Sequence, residues 1–185
     1  ASASINGQIM PPVMGAAAFL MVEYVGIPYS EIIKHAALPA VISYVALFYI
    51  DLDEFKGIND SRGHAAGDEL LRITAQRLRA CVSAGDSVIR MGGDEFVILA
   101  RELPGRSAAA GIAERIVASL RQPLQMEGET VRVTASVGIS LYPDDGLDLE
   151  SLLKHADIAL YEAKNAGRDN YRFFDADMDI GHGER

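Results

Sequence analysis

Six apolar residues in a row, Val45-Ala-Leu-Phe-Tyr-Ile50, stop at Asp51-Leu-Asp53. An unbroken run of this kind predicts a strand buried on both faces, since a half-exposed strand would alternate apolar and polar residues. The fold must therefore be built around a central strand whose end carries two carboxylates. Standing two residues apart, Asp51 and Asp53 share one side of an extended chain.

The rest of the chain supplies partners for that strand. Leu71, Ala75, Leu78 and Val82 recur at helical spacing and predict a helix over Gly63–Val82. Ser87–Met91 and Phe96–Ala100 read as two short strands around Gly92-Gly93-Asp94-Glu95, a hairpin signal. A helix over Ser107–Arg121, a strand over Val131–Leu141, a helix over Leu147–Ala166 stopped by Gly167, and a strand over Tyr171–Phe174 complete the order. The pattern β-α-β-β-α-β-α-β begins as a ferredoxin-like βαββαβ core and adds a C-terminal helix and strand. The expected class is α+β, an α/β sandwich with a central, mainly antiparallel sheet and helices on one face. The tail after Asp175 lacks a hydrophobic period and is expected to fray.

Charge is distributed unevenly. The net charge is −9, yet the first fifty residues hold only Glu23, Glu31 and Lys34. So acidic a chain lacks the basic face that grips nucleic acid, and no nucleic-acid partner is expected. The one cysteine, Cys81, excludes an internal disulfide framework and a cysteine-based zinc site, which fits a cytoplasmic setting. In the apolar first segment, Met14–Tyr24 is interrupted by Glu23 and followed by Gly26-Ile27-Pro28, and Ala36–Ile50 contains Pro39 and Ser43. Neither is a clean membrane span.

The acidic positions carry the chemistry. In a ferredoxin-like sheet the first strand and the hairpin are neighbours, so Asp51 and Asp53 can meet Asp94 and Glu95. Crowded carboxylates repel unless a cation neutralises them, and hard oxygen ligands suit Mg²⁺ or Mn²⁺. Gly92 and Gly93 let backbone approach a ligand closely. Asn59 and Asp68 offer donors and acceptors that complement a guanine edge, and Lys56, Lys164 and Arg168 can neutralise phosphates. Taken singly, each of these is more often a turn, a cap or a surface charge.

Joined in order, Asp51-Leu-Asp-Glu-Phe-Lys-Gly-Ile-Asn-Asp, Gly63-His-x-x-Gly-Asp-x-Leu-Leu, Arg90-Met-Gly-Gly-Asp-Glu-Phe, Ser136-Val-Gly-Ile-Ser and Ala156-Asp-Ile-Ala-Leu-Tyr-x-Ala-Lys-x-x-Gly-Arg resemble the GGDEF family of diguanylate cyclases over about residues 45–174. The resemblance implies a nucleotide-cyclase-like fold and condensation of two GTP into cyclic di-GMP and pyrophosphate, across a homodimer in which each subunit holds one GTP. By motif position it implies Asp51 and Glu95 as metal ligands, assisted by the backbone carbonyl of Leu52. Asp94 matches the motif acid assigned either to metal binding or to 3′-hydroxyl activation, and both roles stay open. Asn59 and Asp68 match the guanine readers, Lys164 and Arg168 the phosphate ligands, with Lys56 as helper. Gly92 and Gly93 admit the nucleotide to the hairpin.

The sequence departs from the family in two places. The family's Asp-x-Leu-Thr-Gly-Leu-x-Asn-Arg segment and its helix are missing before the first strand. In their place Asn6-Gly-Gln-Ile-Met-Pro-Pro, Gly26-Ile-Pro-Tyr-Ser-Glu-Ile-Ile-Lys and Leu38-Pro-Ala resemble the large membrane subunit of TRAP-type transporters over about residues 1–48. The family's inhibitory product site uses Arg-x-x-Asp, and here those positions read Ser83-Ala-Gly-Asp86. The expected organisation is an apolar, helical segment over 1–44, the GGDEF domain over 45–175 and a tail over 176–185. Phe173-Phe-Asp-Ala-Asp-Met resembles the connector that precedes an EAL phosphodiesterase domain, so the chain is expected to come from a larger protein. An active cyclase is the leading expectation. The alternatives are a GTP-binding regulatory module without turnover, and a transporter-derived fragment attached to the inner membrane through residues 1–48.

Overall fold

The computed structural model describes residues 44–126 and 128–178. Residues 1–43, nearly all of the apolar segment expected over 1–44, and the end of the tail over 179–185 lie outside the described residues.

The apolar run forms the centre of the sheet. Strand β1 (Tyr44–Leu52) is followed by α1 (Phe55–Arg62), α2 (His64–Ala80), the hairpin strands β2 (Ser87–Gly92) and β3 (Glu95–Leu103), and α3 (Arg106–Leu120). A small hairpin of β4 (Leu124–Met126) and β5 (Glu129–Val131) leads to β6 (Ala135–Tyr142), α4 (Leu149–Asn165) and β7 (Tyr171–Phe173). The main sheet has the order β2-β3-β1-β6-β7, with β4 and β5 apart. Every pairing in it is antiparallel except β6 with β7, which α4 connects as a crossover. This is the expected α+β class with the added helix and strand.

The sheet is covered on both faces, which corrects the expectation of helices on one. Ala46, Phe48 and Ile50 pack with Leu70, Leu78, Ile112 and Ile116 of α2 and α3. Leu47, with Val97 of β3, packs against Leu152 and Ala156 of α4. A strand apolar at every position needs two covers, and α4 is the second.

Two elements were not expected. The sequence pattern assigns no element to residues 55–62, yet they form α1, anchored by the buried Phe55. The strand expected from Val131 begins at Ala135, because residues before it form the β4–β5 hairpin, with Gly128 at φ 85°. Residues 176–178 do not fray: they form one helical turn, and Met178 packs on Ile158, Ala159 and Phe174.

Helix ends are held by side chains distant in sequence. The Arg77 guanidinium donates to the Ser119, Gln122 and Pro123 carbonyls at 3.0, 2.6 and 3.0 Å, satisfying the C-terminus of α3. Asp148 caps α4, accepting from the Ser151 N–H at 2.8 Å. Gly138 lets α4 lie against β6: a Cβ there would stand 1.9 Å from the Ala156 carbonyl oxygen and 2.3 Å from the Leu160 nitrogen. The neighbouring Ser140 hydroxyl donates to the Leu152 carbonyl at 2.8 Å. The small residues of Ser136-Val-Gly-Ile-Ser thus fix the height of α4 above the sheet, and with it the position of Lys164.

Candidate active site

The sheet face under α4 carries the acids. Asp51 stands opposite Glu95 in the β1–β3 ladder. From the last turn of α4, Lys164 reaches down, and its Nζ lies 2.8 Å from Asp51 Oδ2. The Tyr49 hydroxyl, two residues back along the same face, donates to Glu95 Oε2 at 3.3 Å. Burial pushes the Asp51 carboxyl above the usual carboxylate range; Lys164 pulls it down, and Asp94 and Asp53 push it up further. Ionised Asp51 is therefore short of positive charge even with Lys164 beside it.

Asp94 and the two glycines form the β2–β3 turn. Gly93 has φ 51°, and the ladder shifts register between Arg90 and Gly92. The Arg90 guanidinium clamps this turn, with Nε and Nη2 donating to the Gly93 carbonyl at 3.0 and 2.8 Å. The Leu52 N–H donates to the Asp94 carbonyl at 3.3 Å, tying the turn to the end of β1. In a regular ladder the Leu52 carbonyl points to that same side. A Cβ at Gly92 or Gly93 would meet no atom within 4 Å, so the space beside the turn is open to a ligand.

These donors fit a hard divalent cation. Among the described residues no group of three or more histidine, cysteine or acidic side chains is gathered closely enough to hold a metal unaided. Asp51, Glu95 and the Leu52 carbonyl make an open set of hard oxygens instead. Mg²⁺ is commonly held by one or two carboxylates and completed by water and ligand phosphates, which is what an open set offers.

Asp53 differs from Asp51, although the sequence pairs them. Its carboxylate is buried and accepts from Thr134 Oγ1 at 2.7 Å, Ser136 Oγ at 2.8 Å and the Asp169 N–H at 3.2 Å. Its oxygens are committed to joining β1, β6 and the α4–β7 turn. The turn it braces holds Arg168 and Asp169 at φ 60° and 51°, conformations that side-chain-bearing residues rarely adopt.

Asn59 and Asp68 stand on α1 and α2, two helices that pack together. The Asn59 side chain rests on Gly67, the residue before Asp68: a Cβ on Gly67 would fall 1.9 Å from Asn59 Oδ1 and 3.3 Å from Phe55 Cζ. Asn59 lies within α1 and not at a turn or cap. Gly67→Ala is expected to push the Asn59 amide aside, raising KM for a guanine nucleotide about tenfold, the loss of one good hydrogen bond, with a smaller change in kcat. Steady-state kinetics against wild type check this; an unchanged KM would dissociate Asn59 from base recognition.

Lys56 is the second residue of α1 and is exposed. The helix start is left open: Glu54 before it sits at φ 61° and makes no side-chain cap. Beside it lies a cleft of about 640 Å³ lined by Glu54, Gly57, Arg132, Gly167 and Arg168. Free N–H groups at a helix start next to a guanidinium suit an anion. The roles of Tyr49, Arg90, Thr134 and Arg132 were not read from the sequence. Only Arg90 left a signal there, as a basic residue just before the paired glycines.

The family model described as "Diguanylate cyclase, GGDEF domain" matches residues 31–170, beginning ahead of β1. The bifunctional diguanylate cyclase/cyclic di-GMP phosphodiesterase MucR of Pseudomonas aeruginosa is 46% identical over 142 residues, which is 76% of this chain and 20% of MucR. The diguanylate cyclase TpbB of the same species is 42% identical over 129 residues, 69% of this chain and 30% of TpbB. The chain thus spans less than a third of the length of these relatives. Among solved structures, a GGDEF-only form of TpbB superposes with a TM-score of 0.75 at 37% identity, covering 82% of this chain and 88% of that one. The GGDEF domain of DgcB from Caulobacter crescentus, in complex with c-di-GMP, has a TM-score of 0.66 at 27% identity and covers 76% and 82%.

Proposed function

Because the chain belongs to the GGDEF diguanylate cyclase family, we propose that it condenses two GTP into cyclic di-GMP and two pyrophosphates. The observation that carries this reading is Asp51 facing Glu95 beside the open Gly92-Gly93 turn, with Lys164 above.

In this reading Asn59 and Asp68 hold the guanine edge, Asn59 fixed by its seat on Gly67. Lys56, Lys164 and Arg168 gather the phosphates at the open start of α1. Asp51, Glu95 and the Leu52 carbonyl hold Mg²⁺ or Mn²⁺. The bound metal supplies positive charge to the phosphates and to the departing pyrophosphate. Lys164 gives up its contact with Asp51 to the phosphates when nucleotide and metal arrive together. Asp94, held by the Leu52 bond at the mouth of the turn, binds metal or accepts the 3′-hydroxyl proton. The hydroxyl oxygen attacks the α-phosphorus of the second GTP, and the bond to the β-phosphate oxygen breaks. Each chain presents one nucleotide, so the reaction needs a two-fold homodimer, and the protein's share is orientation and charge.

A GTP-binding regulatory module is the second reading. It is favoured by the Asp51–Lys164 ion pair, which occupies a carboxylate oxygen the metal needs. Incubation with GTP and Mg²⁺ separates the two: cyclic di-GMP supports the cyclase, and tight GTP binding without product supports the module. A downstream EAL domain, like the second activity in MucR's name, is part of the proposal for the whole protein. Among the described residues no helix is long and apolar enough to cross a membrane. Attachment to the inner membrane would rest on the transporter-like segment alone.

No strong inhibition by product is expected at the Ser83–Asp86 loop. The Asp86 carboxylate there accepts from the Ser83 and Arg101 N–H groups at 2.8 and 3.0 Å. Arg79 is spent on the Asp86, Ser83 and Ala84 carbonyls, and Arg101 on that of Gly85. Initial rates should be unchanged by added cyclic di-GMP. Inhibition that disappears in Asp86→Ala would contradict this.

A further inference from the structure

The cleft beside the start of α1 contains a guanidinium that the roles above leave unused. Arg132 lies between Val131 and Val133, both buried at 5% and 6% exposure. Strand-like alternation therefore turns its side chain away from the core and into the cleft that Gly57 and Arg168 also line. No described residue bonds to its guanidinium. Two other arginines that reach this hairpin and turn are already engaged there: Arg62, from the end of α1, with Glu129 at 2.6 Å, and Arg121, just after α3, with Asp169 at 2.9 Å. Of the acids lining the cleft, Asp53 is bonded to Thr134 and Ser136, Asp169 is paired with Arg121, and Glu54 is exposed to solvent. Two uncommitted guanidiniums therefore share one cleft in a protein of net charge −9.

We infer that Arg132 binds the terminal phosphate of the nucleotide and makes the site read phosphate-chain length. The inference rests on the cyclase reading, which puts the phosphates at the start of α1 and at Arg168. A guanidinium presents paired donors that match two oxygens of a phosphate, and the γ-phosphate of GTP carries the most charge and the most free oxygens. Arg132 forms no covalent bond in the reaction. It holds the group that leaves as the outer half of pyrophosphate. A diphosphate anchored at the same base site is one phosphate shorter and leaves Arg132 without its partner.

The test is binding of 3′-deoxy-GTP and 3′-deoxy-GDP, which cannot be cyclised, to the full chain in Mg²⁺ by titration calorimetry. Wild type should prefer the triphosphate. Arg132→Gln, which keeps the aliphatic stem, should weaken the triphosphate about tenfold, in line with loss of a charged hydrogen bond, and leave the diphosphate unchanged. Arg132→Lys should restore part of the preference, and urea melts of all three should coincide. An unchanged triphosphate-to-diphosphate ratio in Arg132→Gln would overturn the inference, as would equal weakening of both. Failure of wild type to bind either nucleotide would instead overturn the cyclase reading on which the inference rests.

Discussion

Gly138→Ala is expected to lower the unfolding free energy by about 3 kcal/mol, the upper range for overpacking a core. The added methyl would meet backbone: the Ala156 carbonyl oxygen at 1.9 Å, the Leu160 nitrogen at 2.3 Å and the Leu160 Cα at 2.8 Å. Those atoms belong to the interior of α4, so no side chain can swing away to make room. The whole helix would have to rise, giving up the Ser140–Leu152 bond and the contacts of Leu152 and Ala156 with Leu47 and Val97. A lifted α4 would also withdraw Lys164 from Asp51 and strain the turn that carries Arg168. Stability and nucleotide binding should therefore fall together. Urea denaturation followed by circular dichroism measures the first; a midpoint equal to that of wild type would show that α4 does not sit as closely on β6 as described.

Asp51→Asn is expected to cut product formation at least ~100-fold without weakening the fold, the scale on which electrostatic groups act in such sites. Catalysis suffers because an amide is a poor partner for a divalent cation and for Lys164. Stability behaves otherwise. Burial holds the folded-state pKa of Asp51 above its unfolded value. A carboxyl shifted in that direction contributes its stability below the unfolded pKa and loses it as pH rises through the folded pKa. At neutral pH the ionised group opposes folding, so the uncharged isostere should melt no lower than wild type when no metal is present. In acid, below the unfolded pKa, wild type should regain ground relative to the variant. Thermal melts at pH 7 and in acid, run without divalent metal, measure this. A variant that melts well below wild type at pH 7 would mean that the Asp51–Lys164 pair outweighs the cost of burial.

Much of the site was legible because it lies on regular elements. The apolar run ending at Asp51 places that carboxylate at the end of a central strand, and the Gly92-Gly93 turn brings Glu95 next to it by register alone. Lys164 is read from the sequence only as a phosphate ligand by its place in the motif, and its contact with Asp51 is not legible there. What was not legible depends on partners far along the chain. Asp53 reads as a twin of Asp51 until Thr134 and Ser136, more than eighty residues away, take up its oxygens. Residues 55–62 contain Gly57, Asn59, Asp60 and Ser61, all weak helix formers, and only packing against α2 makes them helical. The second helical cover was implied by the doubly buried strand, yet the ferredoxin-like pattern by itself favoured one covered face. Arg132 carries no sequence signal, since an isolated arginine between two valines looks like any exposed strand position.

The claim that ties these observations together is that the acids at the ends of β1 and β3 make a working cyclase centre. Its most direct test is chromatography for cyclic di-GMP after incubating the purified chain with GTP and Mg²⁺, beside an Asp94→Ala, Glu95→Ala double variant. Product from the wild type alone is the predicted result. A folded wild type that binds GTP and releases no cyclic di-GMP would contradict it.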